Sequence, residues 1–365
     1  MAANNASATP SATHEIRLAG PEDMPSVAQL LPELDGPSYS ERFPGKTCVE
    51  FTRWKYFSNP AGDAAVGVAL DGDRVVSIVA GTPKRVRLGA DTVLAFELGD
   101  FITATDHRKR GLFSALINLV CDAAQQRGAA FVYVRPNDVS FPILRSRLSF
   151  VEPRKQEARR WVLLSGMMQR KFGIPSGLVR GLGVDWMART LTFPQASSSV
   201  SINSINRFGG EVDRLWTSVR ELYSFAVVRD CQYLNWRFVD CPTPYLVWAA
   251  RRQGEMAGYL IAFTARKQPI ATIVDFFTRP DDEDAAAALL RTALDTLLRS
   301  GVQAVYCWTL QTGADSAASR LLKRACMFVQ KPLLHFAMRP LQGQPWPQEL
   351  PTSGWQLTTA DFDGV

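Results

Sequence analysis

The sequence predicts a mixed α/β protein made of two tandem copies of one domain, and two observations carry that reading. The first is a strand–loop–helix unit at residues 100–113. Here Leu112, Phe113, Leu116, Leu119, Val120 and Ala123 recur at three and four residues. That spacing is one face of a helix, expected over 112–126 and stopping at Gly128. The second is a set of landmarks that occur twice in the same order. Trp54-Lys55-Tyr56-Phe57-Ser58-Asn59-Pro60 corresponds to Trp236-Arg237-Phe238-Val239-Asp240-Cys241-Pro242. A strand–turn–strand pattern follows each, around Asp71-Gly72 and around Gln253-Gly254. Asp100-Phe101-Ile102-Thr103 then corresponds to Asp275-Phe276-Phe277-Thr278, and Gly128 with Val132-Tyr133 to Gly301 with Val305-Tyr306. Two copies make a duplicated domain, not a solenoid.

A chain of 365 residues accommodates two such domains. The expected division is a tail at 1–13, a first domain at 14–164, a linker at 165–199, a second domain at 200–340 and an extended C-terminal tail at 341–365. Residues 1–13 are mostly Ala, Ser, Asn, Thr and Pro, without the basic start and apolar core of a signal peptide. They read as disordered. The linker mixes Met167, Met168, Phe172, Leu178, Leu182, Trp186, Met187 and Leu191 with basic residues and glycines. That pattern predicts short amphipathic helices bridging both domains, with a membrane-surface helix as the alternative. No apolar run approaches the roughly 18 residues of a membrane span. The six cysteines have no Cys-x-x-Cys spacing, which suits thiols of a cytoplasmic protein. His14, His107 and His335 lie far apart, so no metal site is expected. The run Arg154, Lys155, Arg159 and Arg160 is a solvated surface or an attractor for an anionic substrate.

The loop at 108–110 is the chemically informative part. A strand that feeds a Gly-containing loop at a helix start aims several backbone N–H groups at one spot. The helix dipole adds positive potential there, and Arg108, Lys109 and Arg110 add charge, which makes a place for a phosphate or pyrophosphate. Arg108-x-x-Gly111 resembles the Arg/Gln-x-x-Gly-x-Gly/Ala pyrophosphate loop of the GNAT superfamily of acyl-CoA N-acyltransferases. The strand at 129–134, Asn137 and the segment 142–150 resemble that family's second half-motif. Residues 14–19 with 21–24 resemble its first strand and helix start. The resemblance covers about residues 14–160. Three positions depart from it: Phe113 is the third loop position, Ser149 stands where Gly is usual, and Arg145 stands where a proton-donating Tyr is frequent.

The resemblance implies an acyl-CoA co-substrate, no metal, and a small-molecule amine acceptor. Phe101, Ile102, Thr103 and Ala104 would pair with the pantetheine through their backbone. Arg108, Lys109, Arg110, Gly111, Leu112 and Phe113 would hold the pyrophosphate, with Ser114 adding a hydroxyl. Asn137 either touches the pantetheine or caps the following helix. In the second copy the loop reads Arg279-Pro280-Asp281-Asp282-Glu283-Asp284. Four carboxylates repel a pyrophosphate, and the Pro removes a donor. One cofactor site is therefore expected, in the first half.

Acyl transfer to an amine requires a base, and Glu97 and Asp100 lie on the strand before the loop. Strict alternation puts Glu97 with Gly99 and Phe101, and Asp100 with Leu98 and Ile102. Asp275 repeats Asp100 in the copy that lacks the loop. This favours a structural Asp100 and a catalytic Glu97, with delivery of the amine through a water relay as a third course. Asp275, Trp308 and Tyr245 are the expected acceptor-side residues, and Trp54 and Trp236 are expected core. Two-domain relatives of this size imply an amino sugar acceptor, nucleotide-linked or free. The rival readings are a Fem-type aminoacyltransferase that uses aminoacyl-tRNA and a non-catalytic acyl-CoA-binding regulator. The basic Arg108-x-x-Gly111 loop argues against the former, and no nucleic-acid partner is expected.

Overall fold

In the computed structural model of the protein, the structure describes residues 14–32, 47–162, 199–265, 269–312, 317–324, 328–343 and 353–362, with single positions at 168, 172–175, 178, 346 and 350. The expected tail at 1–13 and most of the linker at 165–199 lie outside the described residues. The first half runs β1 (Glu15–Leu18), α1 (Met24–Leu30), α2 (Cys48–Phe57), β2 (Ala65–Asp71), β3 (Arg74–Leu88), β4 (Asp91–Thr103), α3 (Leu112–Gln126), β5 (Phe131–Val134), α4 (Phe141–Arg147) and β6 (Val151–Val162). The second half repeats it: β7 (Ser201–Ser204), α5 (Glu211–Val219), β8 (Phe225–Val227), α6 (Cys231–Phe238), β9 (Leu246–Arg252), β10 (Glu255–Thr264), β11 (Ile270–Thr278), α7 (Glu283–Arg299), β12 (Ala304–Thr312), α8 (Ala317–Arg324), β13 (Phe328–Pro340) and β14 (Trp355–Thr358). Only β8 and β14 have no counterpart among the described elements of the first half.

Local chemistry explains several of these elements. α2 starts at Thr47, whose hydroxyl accepts from Glu50 N while the Glu50 carboxylate accepts from Thr47 N. This reciprocal cap satisfies two donors of the first turn. The β9–β10 hairpin turns on Gln253 and Gly254, both at positive φ, the geometry that matches strand twist in a two-residue turn. α3 lies close on the sheet because of a glycine. A Cβ at Gly81 would stand 2.7 Å from Val120 Cγ1.

The fourteen strands of the described residues form one sheet. Its order is β1-β2-β3-β4-β5-β13-β6-β12-β11-β10-β9-β7, with β14 joined to β12 and β8, and β8 to β3. The two halves exchange their last strands. β13, from the end of the second copy, pairs antiparallel with β5 (Ala337↔Val134 to Pro340↔Phe131). β6, from the end of the first, pairs antiparallel with β12 (Ala304↔Val162 to Thr309↔Glu157). β4 pairs parallel with β5 and, correspondingly, β11 with β12; β14 also pairs parallel with β8. Trp54 and Trp236 meet on the pseudo-two-fold. Their rings stack at 5.3 Å, and each indole N–H donates to the other's backbone carbonyl. This reciprocal contact is what a self-complementary interface requires.

One apolar cluster lies under α1, α2 and α3 of the first half and another around α7. A third, built from both halves, includes Phe131, Tyr133, Phe225, Phe336 and Trp355. Within it Arg229, fully buried, contacts Asp275 at 3.2 Å and Asp361 at 2.9 Å, while Tyr259 and Thr358 donate to Asp275. Burial disfavours the Arg229 charge, but the two carboxylates outweigh this and hold its pKa above the ordinary value. Removing one member of such a cluster strands a buried charge. Asp275→Ala is therefore expected to lower stability by about 3–5 kcal/mol, read from the urea midpoint of unfolding by circular dichroism. A midpoint within experimental error of wild type would show the cluster to be dispensable.

Candidate active site

β4 and β5 pair only from Ala95↔Phe131 to Leu98↔Val134. β4 continues to Thr103 along β3, whereas β5 ends at Val134. Beyond Leu98 the side of β4 away from β3 thus offers main-chain N–H and C=O groups to a ligand instead of to a strand. The chain then makes a 3-10 turn at Thr105–His107, passes Lys109 at φ 65°, and enters α3 through Gly111 at φ 81°. No side chain caps α3. Its first-turn N–H groups have no intrahelical partner and face outward with the positive end of the dipole. Phe101, Ile102, Thr103, Arg108, Lys109, Arg110, Gly111, Leu112, Phe113, Ser114 and Asn137 all border one cavity of about 750 Å³. Arg108 and Arg110 are tethered by bonds to the carbonyls of Thr103 and Asp106. Asn137 Oδ1 accepts from Val139 N and Ser140 N, so its side chain caps the turn into α4.

The equivalent place in the second half is a cavity of about 480 Å³ lined by Arg252, Arg279, Arg320 and the four carboxylates of 281–284. Asp282 caps α7, its carboxylate accepting from Ala285 N at 3.0 Å. Arg252 pairs with Asp282 at 2.9 Å, and Arg320 with Glu283 at 2.7 Å. At α7 a carboxylate of the chain itself thus takes a first-turn donor that α3 leaves uncapped.

The strand before the loop holds a β-bulge. Ala80 faces Gly99 and Ile78 faces Ile102, so β4 carries one extra residue across that interval. Asp100 occupies it at φ 51°. The bulge overturns the strict alternation expected from the sequence. Phe101 packs on Phe113 of α3 at 5.1 Å, on the helix side of the sheet. Asp100 points instead to α2, where its carboxylate accepts from Lys55 Nζ and Tyr56 OH, each at 2.6 Å. That carboxylate is committed to holding α2 against the strand. Glu97 is 3% exposed and is paired in register with Tyr133 of β5, on the face turned toward the second half. Arg135, just past β5, lies near it. The guanidinium carbon is 4.0 Å from the ring centre of Trp308 on β12 and 5.4 Å from that of Phe362. Burial pulls the Arg135 pKa down to about 10, and the Glu97 carboxylate opposes that shift.

Residues 15–147 match the family model of the acetyltransferase (GNAT) domain. The first half of the chain is a GNAT domain. Solved structures extend the likeness to the fold of the whole chain. A probable N-acyltransferase from Enterococcus faecalis superposes with a TM-score of 0.63 at 15% identity, over 90% of this chain and 73% of that one. N-myristoyltransferase of Saccharomyces cerevisiae with bound myristoyl-CoA gives 0.60 at 11% identity, over 96% and 87%. A tandem GNAT protein from the clavulanic acid biosynthesis pathway gives 0.57 at 14%, over 91% and 100%. At these identities the likeness is one of fold. No curated protein matches the sequence.

The structure brings Arg135 near Glu97 and against Trp308 of the second half, and brings the loop residues to one cavity. It does not bring the three expected acceptor-side residues together. Asp275 is in the buried Arg229 cluster and unavailable to a ligand. Tyr245 packs on Phe238 and receives a bond from Arg237. Trp308 reaches Arg135 at the end of β5, and Tyr245 borders a small cavity with Phe51, Trp54 and Lys55. Arg145 is exposed on α4, while Ile143 and Arg147 border the cavity. Ser149 adopts φ 58°, a left-handed conformation that explains why Gly is usual there. Arg135 was not singled out in the sequence. Its signal was a charge at the C-terminal end of a buried apolar strand, directly before Pro136.

The open α3 terminus yields a direct expectation. Gly111→Val forces a β-branched residue into φ 81°, which costs on the order of 1–3 kcal/mol or displaces the loop. Acyl-CoA affinity should fall by about tenfold or more, measured by calorimetry. Asp282→Val in the second half should leave that affinity unchanged. Equal losses in the two variants would contradict a single site in the first half.

Proposed function

We propose that the protein is an acyl-CoA-dependent N-acyltransferase that acylates a primary amine, with one coenzyme site per chain in the first half. The observation that carries this is the contrast between the two helix starts. α3 opens uncapped N–H groups and three basic residues onto a cavity of about 750 Å³, whereas α7 is capped by its own Asp282. The uncapped donors, the Gly111 turn and the unpaired edge of β4 fit a pyrophosphate followed by an amide-bearing arm. Bound acyl-CoA supplies the thioester whose acyl group moves to the amine.

The residues of this chain do the rest. The main-chain groups of residues 99–103 orient the arm along β4. Glu97, at the point where β4 and β5 part, accepts the proton that the ammonium must lose before nitrogen can attack. N–H groups on the parted edge of β4 stabilise the oxygen as it gains charge. A thiol has an ordinary pKa near 8.5, so its thiolate departs near neutral pH without a dedicated acid, and position 145 need not hold a Tyr. The acceptor binds from the second half's side, and an amino sugar, free or nucleotide-linked, is the class that the family resemblance implies.

The test is calorimetric titration of the full chain with acyl-CoAs of increasing chain length, followed by thiol-release assays against amines. One acyl-CoA per chain is expected. A stoichiometry of two, or no binding at any chain length, overturns the reading.

A further inference from the structure

Arg135 is placed as a receptor for part of the acceptor. It follows β5 at the splay, where α/β sheets bind ligands outside the carboxyl ends of their strands. Its partners come from elsewhere in the chain: Trp308 from β12, and Phe362 from the segment after β14. A guanidinium carbon 4.0 Å from a ring centre is stacked on that ring, so its faces are used by aromatic carbon. Its five N–H donors lie in its own plane, away from the ring faces. Nη1 is buried and has no hydrogen-bond partner among the described residues. A buried charged donor left in that state is costly, and a ligand acceptor removes the cost. Arg135 is two residues beyond Tyr133, the register partner of Glu97, so alternation puts the two side chains on one face of the sheet. The site therefore sets a negative group and a positive group side by side, at the junction of the two halves.

We propose that Arg135 receives a carboxylate of the acceptor, so that the acceptor is a primary amine carrying a carboxylate within a few bonds of its nitrogen. The ammonium then lies toward Glu97 and the carboxylate toward Arg135, each against its opposite charge. A guanidinium edge offers two parallel donors that match the two oxygens of a carboxylate. The aromatic walls of Trp308 and Phe362 favour a flat anion over a tetrahedral one. The proposal rests on the N-acyltransferase reading above, and it replaces the amino sugar, free or nucleotide-linked, that the family resemblance implies with a carboxylate-bearing amine.

The experiment uses the full chain and first establishes acyl-CoA occupancy by calorimetry, so that a failure of coenzyme binding is recognised separately. Thiol release is then measured on matched pairs of amines: α-, β- and γ-amino acids against the same amines without the carboxylate. Phosphate-bearing amines and neutral amino sugars are run beside them. The carboxylate member of the best pair is expected to win by at least about a hundredfold in kcat/KM. Arg135→Gln should abolish that preference, lowering kcat/KM on the carboxylate-bearing amine far more than on its plain partner, with acyl-CoA affinity intact. Trp308→Leu, which removes the stacked ring but not the charge, should weaken the preference with acyl-CoA affinity intact. With acyl-CoA bound, four results overturn the proposal: equal rates within every pair, a preference for the phosphate or neutral sugar amine, no turnover of any carboxylate-bearing amine, or a preference that survives Arg135→Gln. The comparison within wild type decides the matter even if a variant fails to fold.

Discussion

Glu97→Gln lowers kcat by about two to four powers of ten, the usual worth of a positioned proton acceptor, and leaves acyl-CoA affinity within about twofold. The expectation follows from position. Glu97 is on β4 one residue before the last pair with β5, so it stands where the strands part, not along the length of the coenzyme cavity. It is buried on the face turned to the second half. Gln keeps the volume and the hydrogen-bonding outline but cannot take a proton. A change in kcat with little change in coenzyme binding is the signature of a group used in the reaction and not in binding. Asp100→Asn is the control. Its carboxylate is held by Lys55 and Tyr56, so neutralising it should reduce stability more than turnover of the folded enzyme. Full turnover of Glu97→Gln across the pH range, together with loss in Asp100→Asn, would transfer the role to Asp100.

Residues 1–164 expressed alone yield no active enzyme, and at most weakened acyl-CoA binding. The reason is the exchange of last strands. Without the second half β5 loses β13, its partner on one side, and an open edge of buried apolar strand remains. β6 loses both β12 and β13. The face that carries Ala95, Phe131 and Tyr133 loses Phe225, Phe336 and Trp355, with which it forms one cluster. Burial at about 25 cal/mol per Å² is lost over several aromatic side chains at once, which exceeds the margin of an ordinary domain. Circular dichroism and calorimetry on the fragment test this. Co-expression with residues 200–365 should restore activity, because those residues supply β13 and β14. A fragment that folds alone and acylates the native amine at the full-length rate would show that the second half has no part in the site.

Much of this was legible in the chain. The helix over 112–126, the duplication, and the residues around the coenzyme cavity follow from local signals. Apolar spacing of three and four, paired landmarks, and basic residues before a helix-starting Gly each act within a few neighbours, and sequence records neighbours well. The asymmetry between the two loops is of the same kind, since an Asp at a helix N-cap competes for the donors that a phosphate needs wherever the helix lies. The side-chain assignments near Asp100 failed because alternation assumes an unbroken strand. One extra residue at Asp100, φ 51°, turns Phe101 toward α3 and Asp100 toward α2. The placement of Asp275 in the acceptor site failed because its partner Arg229 lies 46 residues away in the chain, and Asp361, which shares that guanidinium, lies 132 residues from Arg229.

By itself, then, the sequence determined the repeated α/β unit, the basic loop at the Gly111 helix start and its acidic counterpart at 281–284, all consequences of spacing within one element or one turn. Only the tertiary structure decided that β6 and β13 trade places, that Trp54 and Trp236 close the pseudo-two-fold, and that Arg135 lies against Trp308 next to Glu97. The physical reason is separation along the chain. Those contacts join segments more than a hundred residues apart, and their energy comes from burying apolar surface and matching charge between faces that no local pattern relates.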